Sequence, residues 1–356
     1  MKVFQQLLIA PAALGLLVPL AVKADGMDHS AMDHGEHGAR TMLMGKTTFV
    51  VGGVDGVSGK GAVTFNYDTK LMAHTSFNGE DLLKMVVRSG NFNNMDPFGM
   101  MGDARIDTAF NSGDALNLHR AYYQFPLGEN FKATLGAKLR QDDMLAVWPS
   151  AYPDDSILKS FTYAGANAVY SKKMGAGAGL SYDTGNGWSG SLVYVGSEGD
   201  DAENGLFTDE SADDITSQIA YVAEQFGAAL AYTTSDSASG DYESWGVSAY
   251  WNPAESGMLP SVSLGVGFED PETGDDENTW TLGVQWSDVF VDGNTLGLGI
   301  GTATAWDEDS DGPMAYEAWY QIGVSDNITV TPAVFVVERE DDDDVTGAIV
   351  KTTFRF

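Results

Sequence analysis

Apolar residues alternate with small or polar residues along most of the chain. Residues 278–287 show the pattern: every second position carries a large apolar side chain, and these positions are Trp280, Leu282, Val284 and Trp286. A period of two residues is typical of a β-strand whose two faces meet different surroundings. Most of these segments are about ten residues long, which is the length of a strand that crosses a membrane at a tilt.

The alternation predicts sixteen strands. Eleven follow residue 173, near 174–183, 187–197, 214–224, 226–235, 241–251, 259–268, 278–287, 295–306, 314–324, 328–338 and 345–356. Five precede it, near 60–67, 69–78, 81–90, 115–126 and 129–139. The apolar stretch FTYAGANAVY (residues 161–170) is assigned to a loop, because one more crossing strand would put every later turn at the wrong rim. An even number of strands is what a single-chain barrel requires.

Short and long connections alternate between these strands. TGNG, EQ and SDN are short, whereas SEGDDAENGLFTDESADD, EDPETGDDE and EREDDDD are longer and acidic. A meander with tight turns at one rim and long loops at the other is the layout of an outer-membrane barrel, and the Greek-key connections of a β-sandwich give no reason for it. We therefore predict an all-β fold, a transmembrane antiparallel β-barrel of about 16 strands with long acidic extracellular loops. A soluble secreted β-protein is the alternative.

The start of the chain reads as an export signal. Residues 1–24 contain a Lys near the start, an apolar run and a small-x-small ending, which predicts export by a cleaved signal peptide. For an exported barrel, the expected location is the cell outer membrane. Residues 25–45 are assigned to a flexible segment rich in Met and His, and residues 46–356 to the barrel. The chain contains no Cys, so disulfide bonds do not stabilise it.

Aromatic residues mark the expected membrane interfaces. In two strands a pair of Trp side chains shares one face six residues apart, which is about 20 Å along a strand and roughly 15 Å along the membrane normal after tilting. The chain also ends on an aromatic residue. The predicted girdle residues are Trp245, Trp251, Trp280, Trp286 and Phe356. Pairing of aromatic side chains across strands in a protein core is the alternative.

Charge is distributed unevenly along the chain. The net charge is −32, which excludes nucleic acid as a partner, since phosphate binding needs basic patches. Of the 19 Lys and Arg residues, 16 lie in residues 1–173 and none in 174–338, where 29 residues are Asp or Glu. Because the last strand of a closed barrel pairs with the first, we expect one basic wall inside the lumen. Its members would be Lys84, Arg88, Arg120, Lys132, Lys138, Arg140, Lys351 and Arg355. Solvated surface positions are the alternative.

Two long loops are candidates for narrowing the lumen. We expect one of the segments 91–114 and 140–173 to fold inward and set its carboxylates against the basic wall, because charges at a constriction determine selectivity. The acidic candidates are Asp96, Asp103, Asp107, Asp142 and Asp143. The remaining acidic loops would enrich cations at the outer mouth, within a Debye length of about 8 Å.

Several stretches resemble a known family. LMAHTSFNGEDLLKMVVRSGNF, LRQDDMLAVWPSAYPDDSILKSFTYAGANAVY, MGAGAGLSYDTGNGWSGSLVY and the ENGLF loop resemble the cyanobacterial outer-membrane porins of the OprB-like, carbohydrate-selective superfamily, some of which are called iron-uptake porins. The resemblance covers most of residues 45–356 and implies a passive diffusion channel that is commonly a homotrimer. Many relatives carry a surface-layer-homology segment before the barrel, which we expect this chain to lack. The terminal Phe356 resembles the recognition tag of the barrel assembly machinery.

These observations predict a porin in outer-membrane lipid for small hydrophilic solutes, namely inorganic ions, sugars or iron species, with no required cofactor. Enzymatic activity is not expected. Outside the segment 25–45 the only histidines are His74 and His119, and neither lies in a nucleophile motif such as GxSxG. A barrel lipase is the remaining enzyme alternative.

The segment 25–45 carries candidate metal ligands. Imidazole and thioether side chains cluster there, and this donor set suits copper or zinc, with Met favouring Cu(I). The residues are His29, His34, His37, Met27 and Met32. A metal-handling barrel that binds copper or divalent cations through this segment is therefore an alternative function. A disordered polar tail is the other interpretation.

Overall fold

The structure is a computed structural model that describes residues 38–102, 104–208, 211–236, 240–255, 257–274, 276–303, 306–307, 312–340 and 342–356. Its strands, in chain order, are β1 (Arg40–Asp55), β2 (Thr64–Ser76), β3 (Leu82–Gly90), β4 (Asn117–Leu127), β5 (Phe131–Arg140), β6 (Met174–Asp183), β7 (Trp188–Gly196), β8 (Asp213–Val222), β9 (Phe226–Asp236), β10 (Tyr242–Trp251), β11 (Ser261–Pro271), β12 (Glu277–Ser287), β13 (Thr295–Thr302), β14 (Trp306–Asp307), β15 (Met314–Ser325), β16 (Ile328–Val337) and β17 (Val345–Arg355). Two 3-10 helices, Gln141–Asp143 and Lys159–Thr162, lie between β5 and β6. No helix in these ranges is long and apolar enough to cross a membrane.

All strands belong to one closed antiparallel barrel. Apart from β14, each strand pairs with the strands before and after it in the chain, β13 pairs with β15, and β17 pairs with β1 to close the sheet. The two-residue β14 pairs with β12, as β13 does, so it continues β13 and sixteen strands form the barrel. Closure leaves no strand edge with unpaired backbone groups. The predicted fold class and strand number are confirmed.

The first two strands differ from the prediction. β1 begins at Arg40, inside the segment 25–45 that was assigned to a flexible tail, and the predicted strands 60–67 and 69–78 are one strand, β2. The alternation in β1 is weak because small residues occupy both faces. The prediction divided β2 because the lumen face of that strand is charged at Asp68 and Lys70. One strand was missed and one was divided, so the total was right. The loop assignment of residues 161–170 is confirmed.

The two rims of the barrel differ in their connections. Short turns join β2 to β3, β4 to β5, β6 to β7 and β8 to β9, and we call their side the tight-turn rim. Segments 91–116 and 141–173 start from the opposite, long-loop rim. The chain enters β1 and leaves β17 at the tight-turn rim. There Phe356 exchanges backbone hydrogen bonds with Gly45 at 2.6 and 3.0 Å.

Aromatic side chains form two belts on the outer face. Near the long-loop rim, Trp245 lies opposite Tyr232 and Phe268 on the neighbouring strands. Six residues further along the strand, Trp251 lies opposite Phe226 near the tight-turn rim. The outer face also carries the other predicted girdle residues, Trp280, Trp286 and Phe356. Two aromatic belts around an apolar band are typical of a membrane barrel.

Candidate functional site: the constriction in the lumen

Both long segments that were candidates for narrowing the lumen fold into the barrel and pair with each other. Ile106 forms a β-bridge with Leu158, and the Asp107 amide donates to the Ile157 carbonyl at 3.0 Å. The Asp107 carboxylate lies 2.7 Å from Lys159 Nζ. Burial alone would raise the pKa of Asp107, but neighbouring Lys charges, Lys159 first, hold it well below its usual range. We call segments 91–116 and 141–173 the inner loops; the expectation that only one of them turns inward is corrected.

Segment 141–173 rests on the wall formed by β8–β13. The Ala151 amide donates to Ser263 Oγ at 2.8 Å, and Ser248 Oγ donates to the Ala164 carbonyl at 2.7 Å. A Cβ added at Gly265 would lie 1.7 Å from that same carbonyl oxygen. Glycine in a strand often marks a place where another backbone approaches closely. Small and polar side chains therefore shape this wall to receive the loop; they include Thr216, Thr233, Gly246, Ser248, Ser263, Gly265, Thr279 and Gly283.

A buried carboxylate on β15 fixes the middle of the same loop. Glu317 is 4% exposed, and its two oxygens accept hydrogen bonds from the Tyr152 hydroxyl at 2.7 Å and the Leu158 amide at 2.6 Å. Trp319 Nε1 donates to the Tyr152 hydroxyl at 2.8 Å. A buried carboxylate is tolerated where such donors satisfy it. Residues 152–158 are therefore held inside the barrel by several hydrogen bonds.

Four basic residues form a continuous row across neighbouring strands of the opposite wall. Arg355 of β17 lies opposite Lys46 of β1, Lys46 opposite Lys70 of β2, and Lys70 opposite Arg88 of β3. Adjacent strands are about 4.8 Å apart, so the row extends roughly 15 Å around the lumen. We call these four residues the basic row. Asp68 lies on the same face, two residues before Lys70, and its carboxylate pairs with Arg88 and lies 3.8 Å from Lys70 Nζ.

The inner loop meets this row through Asp155. Lys46 Nζ lies 2.6 Å from Asp155 Oδ2. Lys351, on the same face of β17 as the row, donates to the carbonyl oxygens of Asp155 and Ser156 at 2.6 and 2.8 Å. Enclosure by the barrel would raise the pKa of Asp155, but the charges of Lys351 and Lys46 outweigh it and hold the pKa well below its usual range. The loop is thus tied to both walls of the lumen.

The first 3-10 helix places two further carboxylates against cations. Asp143 Oδ2 accepts a hydrogen bond from Arg120 Nε at 2.5 Å, and its Oδ1 lies 3.6 Å from Lys84 Nζ. Asp142 pairs with Arg140 at the end of β5. Burial would raise the pKa of Asp142, but Arg140 outweighs it and the pKa is about 2. The basic region therefore continues from β3 to the end of β5, with a carboxylate beside Lys84, Arg120 and Arg140.

Other predicted site residues lie elsewhere. Lys132 lines an open cavity of about 690 Å³ at the tight-turn rim, away from the basic row. Lys138 lies opposite Ala121 at a bulge and shares the outer face with it, which corrects its predicted place in the lumen wall. The bulge adds a residue that a strict period of two does not anticipate.

Asp96 lines a small cavity near the long-loop rim. The residues outside the described ranges are Asp103, His29, His34, His37, Met27 and Met32.

Sequence reasoning missed half of the basic row. Lys46 was left out because β1 was not predicted. Lys70 was left out because β2 was predicted as two strands, so the continuous lumen face that carries Lys70 was not recognised. Asp155 was not among the acidic candidates selected from the two long loops. The sequence does contain a signal for β1. Lys46, Thr48 and Val50 occupy alternate positions, as the lumen-facing residues of β17 do.

Comparison with known proteins identifies uncharacterized relatives. No family model matches the chain. The chain is similar to the uncharacterized protein alr4550 of Nostoc sp. (strain PCC 7120 / SAG 25.82 / UTEX 2576), with 26% identity over 381 residues that cover 89% of this chain and 65% of that protein. The uncharacterized protein sll0772 of Synechocystis sp. (strain ATCC 27184 / PCC 6803 / Kazusa) is 25% identical over 387 residues, which cover 90% and 69%. The chain thus spans about two thirds of the length of these relatives.

Solved porin structures share the fold. Pseudomonas putida OprB superimposes with a TM-score of 0.64 at 12% identity and covers 90% of this chain and 94% of its own. Salmonella typhi OmpF, in a complex with daunomycin, gives 0.59 at 15% identity, with coverage of 91% and 100%. A mutant of the Rh. blastica porin gives 0.57 at 12% identity, with coverage of 89% and 100%. At these identities the likeness shows the barrel fold alone.

Proposed function

We propose that the chain is an outer-membrane porin through which small hydrophilic solutes diffuse passively. The observation that carries the proposal is the basic row, which faces the inner loops inside a closed barrel. Charged side chains at a constriction act on every solute that passes it. The likeness of the fold to solved porins also supports the proposal.

The proposed solutes are inorganic ions, sugars and iron species, as the resemblance to OprB-like cyanobacterial porins implies. We also propose that a cleaved signal peptide directs export, that the protein assembles as a homotrimer, and that the barrel assembly machinery recognises Phe356. The exposed aromatic belts of the outer face support contact with outer-membrane lipid. Passive diffusion needs no cofactor and no enzymatic step.

Single-channel recording in a planar bilayer under an asymmetric salt gradient tests the proposal. Purified protein should give stepwise conductance with a defined reversal potential. Replacing Lys46 and Lys70 together by Gln removes two charges from the basic row, so the reversal potential should move towards cation selectivity. If each charge contributes about 0.5–1 kcal/mol, the permeability ratio changes about two- to fivefold per charge. Lys138→Gln, which removes a charge from the outer face, is the matched control and should leave the ratio unchanged.

Two results would contradict the proposal. A folded sample that gives no conductance steps indicates that the inner loops close the barrel completely. A permeability ratio that responds equally to the Lys138 control and to the double variant indicates that the basic row does not act on the permeating ions. Heat-modifiable migration on a gel verifies in each case that the barrel is folded.

A further inference from the structure

Sulfur and imidazole donors meet on the lumen face near the tight-turn rim. In β1 and β2, Met42 lies directly opposite His74, and Met44 lies directly opposite Met72. We call these four residues the Met/His cluster. No step of the diffusion proposal uses them, and none of them is among the candidate ligands named for the segment 25–45, although Met42 and Met44 lie at its end.

The register shows that all four side chains point into the lumen. Met44 precedes Lys46 by two residues and Met72 follows Lys70 by two, and both lysines belong to the basic row. Side chains of one strand alternate between the faces, so residues separated by two positions share a face. The pairing of β1 with β2 contains no register shift, and the same face therefore continues to Met42 and His74.

The spacing allows the four donors to approach one ion. Cβ atoms of directly opposite residues are about 4.5–5.5 Å apart, and the two pairs are separated by about 7 Å along the strands. The unbranched Met side chain has three rotatable bonds, so its sulfur can cover these distances. Met42 is 60% exposed and the other three are partly buried, so Met42 is the member of the cluster that is open to lumen water.

His74 has a free coordination position. Its Nε2 is buried and has no hydrogen-bond partner among the described residues. A buried polar atom without a partner is unfavourable, and a bound ligand would remove that cost. The residue opposite His74 on β3 is Lys84, whose ammonium is 3.6 Å from Asp143 and 5.5 Å from the centre of the Tyr122 ring. That cation is therefore already partnered by other groups.

The donor set and the surrounding charge select the type of ion. Thioether sulfur favours soft metal ions such as Cu(I), and imidazole is compatible with them. The ligands carry no negative charge that would offset the second positive charge of a divalent ion, which favours a monovalent ion. Among the described residues no group of three or more His, Asp or Glu side chains could hold a metal, which leaves hard divalent ions without a comparable site there.

We propose that the Met/His cluster binds a soft monovalent metal ion of the Cu(I) or Ag(I) class. The cluster lies between the basic row and the tight-turn rim, so an ion that has passed the constriction meets it before it leaves the lumen on that side. This inference goes beyond passive diffusion and does not depend on it, because binding can be measured without conductance.

Silver ion alone, which is redox-stable, is the probe. The full chain in detergent is titrated with Ag⁺ by calorimetry and, after labelling of the Met methyl groups with ¹³C, by NMR. The methyl signals of Met42, Met44 and Met72 should shift together at one equivalent, whereas the signal of Met85, on the outer face of β3, should not. Because this measurement uses the parent protein, it does not depend on the folding of any variant.

Two sets of substitutions distinguish silver binding at the Met/His cluster from silver binding at the candidate ligands of the segment 25–45. Replacing Met44 and Met72 by Leu and His74 by Gln should weaken one silver site at least tenfold, and Met85→Leu should not. A second variant replaces the ligands of the tail, His29, His34, His37, Met27 and Met32, and should keep that site. Loss of all silver binding in the tail variant, unchanged affinity in the cluster variant, or methyl signals that do not move would each overturn the proposal.

Discussion

Asp155 is the residue at which the inner loop meets the basic row. Its carboxylate binds Lys46 and its carbonyl binds Lys351. A carboxylate whose pKa is lowered by folding stabilises the folded state above its unfolded pKa, about 3.9, and the contribution is lost as the pH falls through the lower folded value. Since the pKa of Asp155 is well below its usual range, the link should persist from neutral pH down to about pH 4.

Hydrogen exchange of the loop amides measures this link. Asp155→Asn removes the charge, so protection of residues 153–158 should fall about two- to fivefold, the equivalent of about 0.5–1 kcal/mol. Parent protection factors should be equal at pH 7 and pH 5. Asp154→Asn is the matched control, because the Asp154 side chain is 54% exposed and lies 4.0 Å from its nearest partner, Lys172. Equal protection in the parent and the Asp155 variant would show that the ion pair does not hold the loop.

At the scale of elements, the sequence predicts a strand well where its two faces differ strongly. In β12 and β17 large apolar residues alternate with small or charged ones, and both strands were predicted close to their observed limits. β1 has small residues on both faces, and the lumen face of β2 carries Asp68 and Lys70 in the middle of the strand. The period of two is weaker in such strands. For this reason Lys46 and Lys70, half of the basic row, were missing from the predicted basic wall.

The inner loops could not be placed from the period of two, because they are not strands. Their apolar residues pack inside the barrel instead: Phe92 and Ile157 are each 1% exposed, and Tyr170 is completely buried. A better signal lies on the strands that receive them. Glycines at alternate lumen positions, such as Gly265 and Gly267, indicate that another backbone lies against the wall.

Gly265→Ala tests the contact between loop and wall. The added Cβ would overlap the backbone oxygen of Ala164, so segment 141–173 must move away from β11. We expect altered single-channel conductance and a loss of stability of about 1–3 kcal/mol, measured by the temperature at which heat-modifiable migration is lost. Gly61→Ala is the control, because its nearest neighbour would be 3.6 Å away. Identical conductance and stability in the two variants would show that the loop does not rest on Gly265.

On the scale of the whole molecule, the charge asymmetry of the sequence becomes an asymmetry across the lumen. The basic row lies on β17, β1, β2 and β3, and the wall opposite it, on β8–β13, belongs to a stretch without any Lys or Arg. Segment 141–173 rests on that wall and turns Asp155 towards the cations of the basic row. The sequence was sufficient to predict a basic wall. The position of segment 141–173 in the lumen could not be predicted in the same way, because it depends on contacts between residues far apart in the chain.

The acidic loops and the basic row should respond differently to salt. The Debye length is about 10 Å at 0.1 M and about 3 Å at 1 M, so the cation enrichment caused by exposed carboxylates at the long-loop rim should be largely lost at 1 M. Charges enclosed in the constriction are screened less. We therefore expect the anion-to-cation permeability ratio to rise with salt, when reversal potentials are measured at a fixed gradient and two mean concentrations. In the Lys46 and Lys70 double Gln variant the ratio should stay low at 1 M, because the row that favours anions is weakened. A ratio that falls with salt in the parent protein would mean that salt screens the basic row more than it screens the carboxylates, which would contradict the enclosure of the row in the constriction.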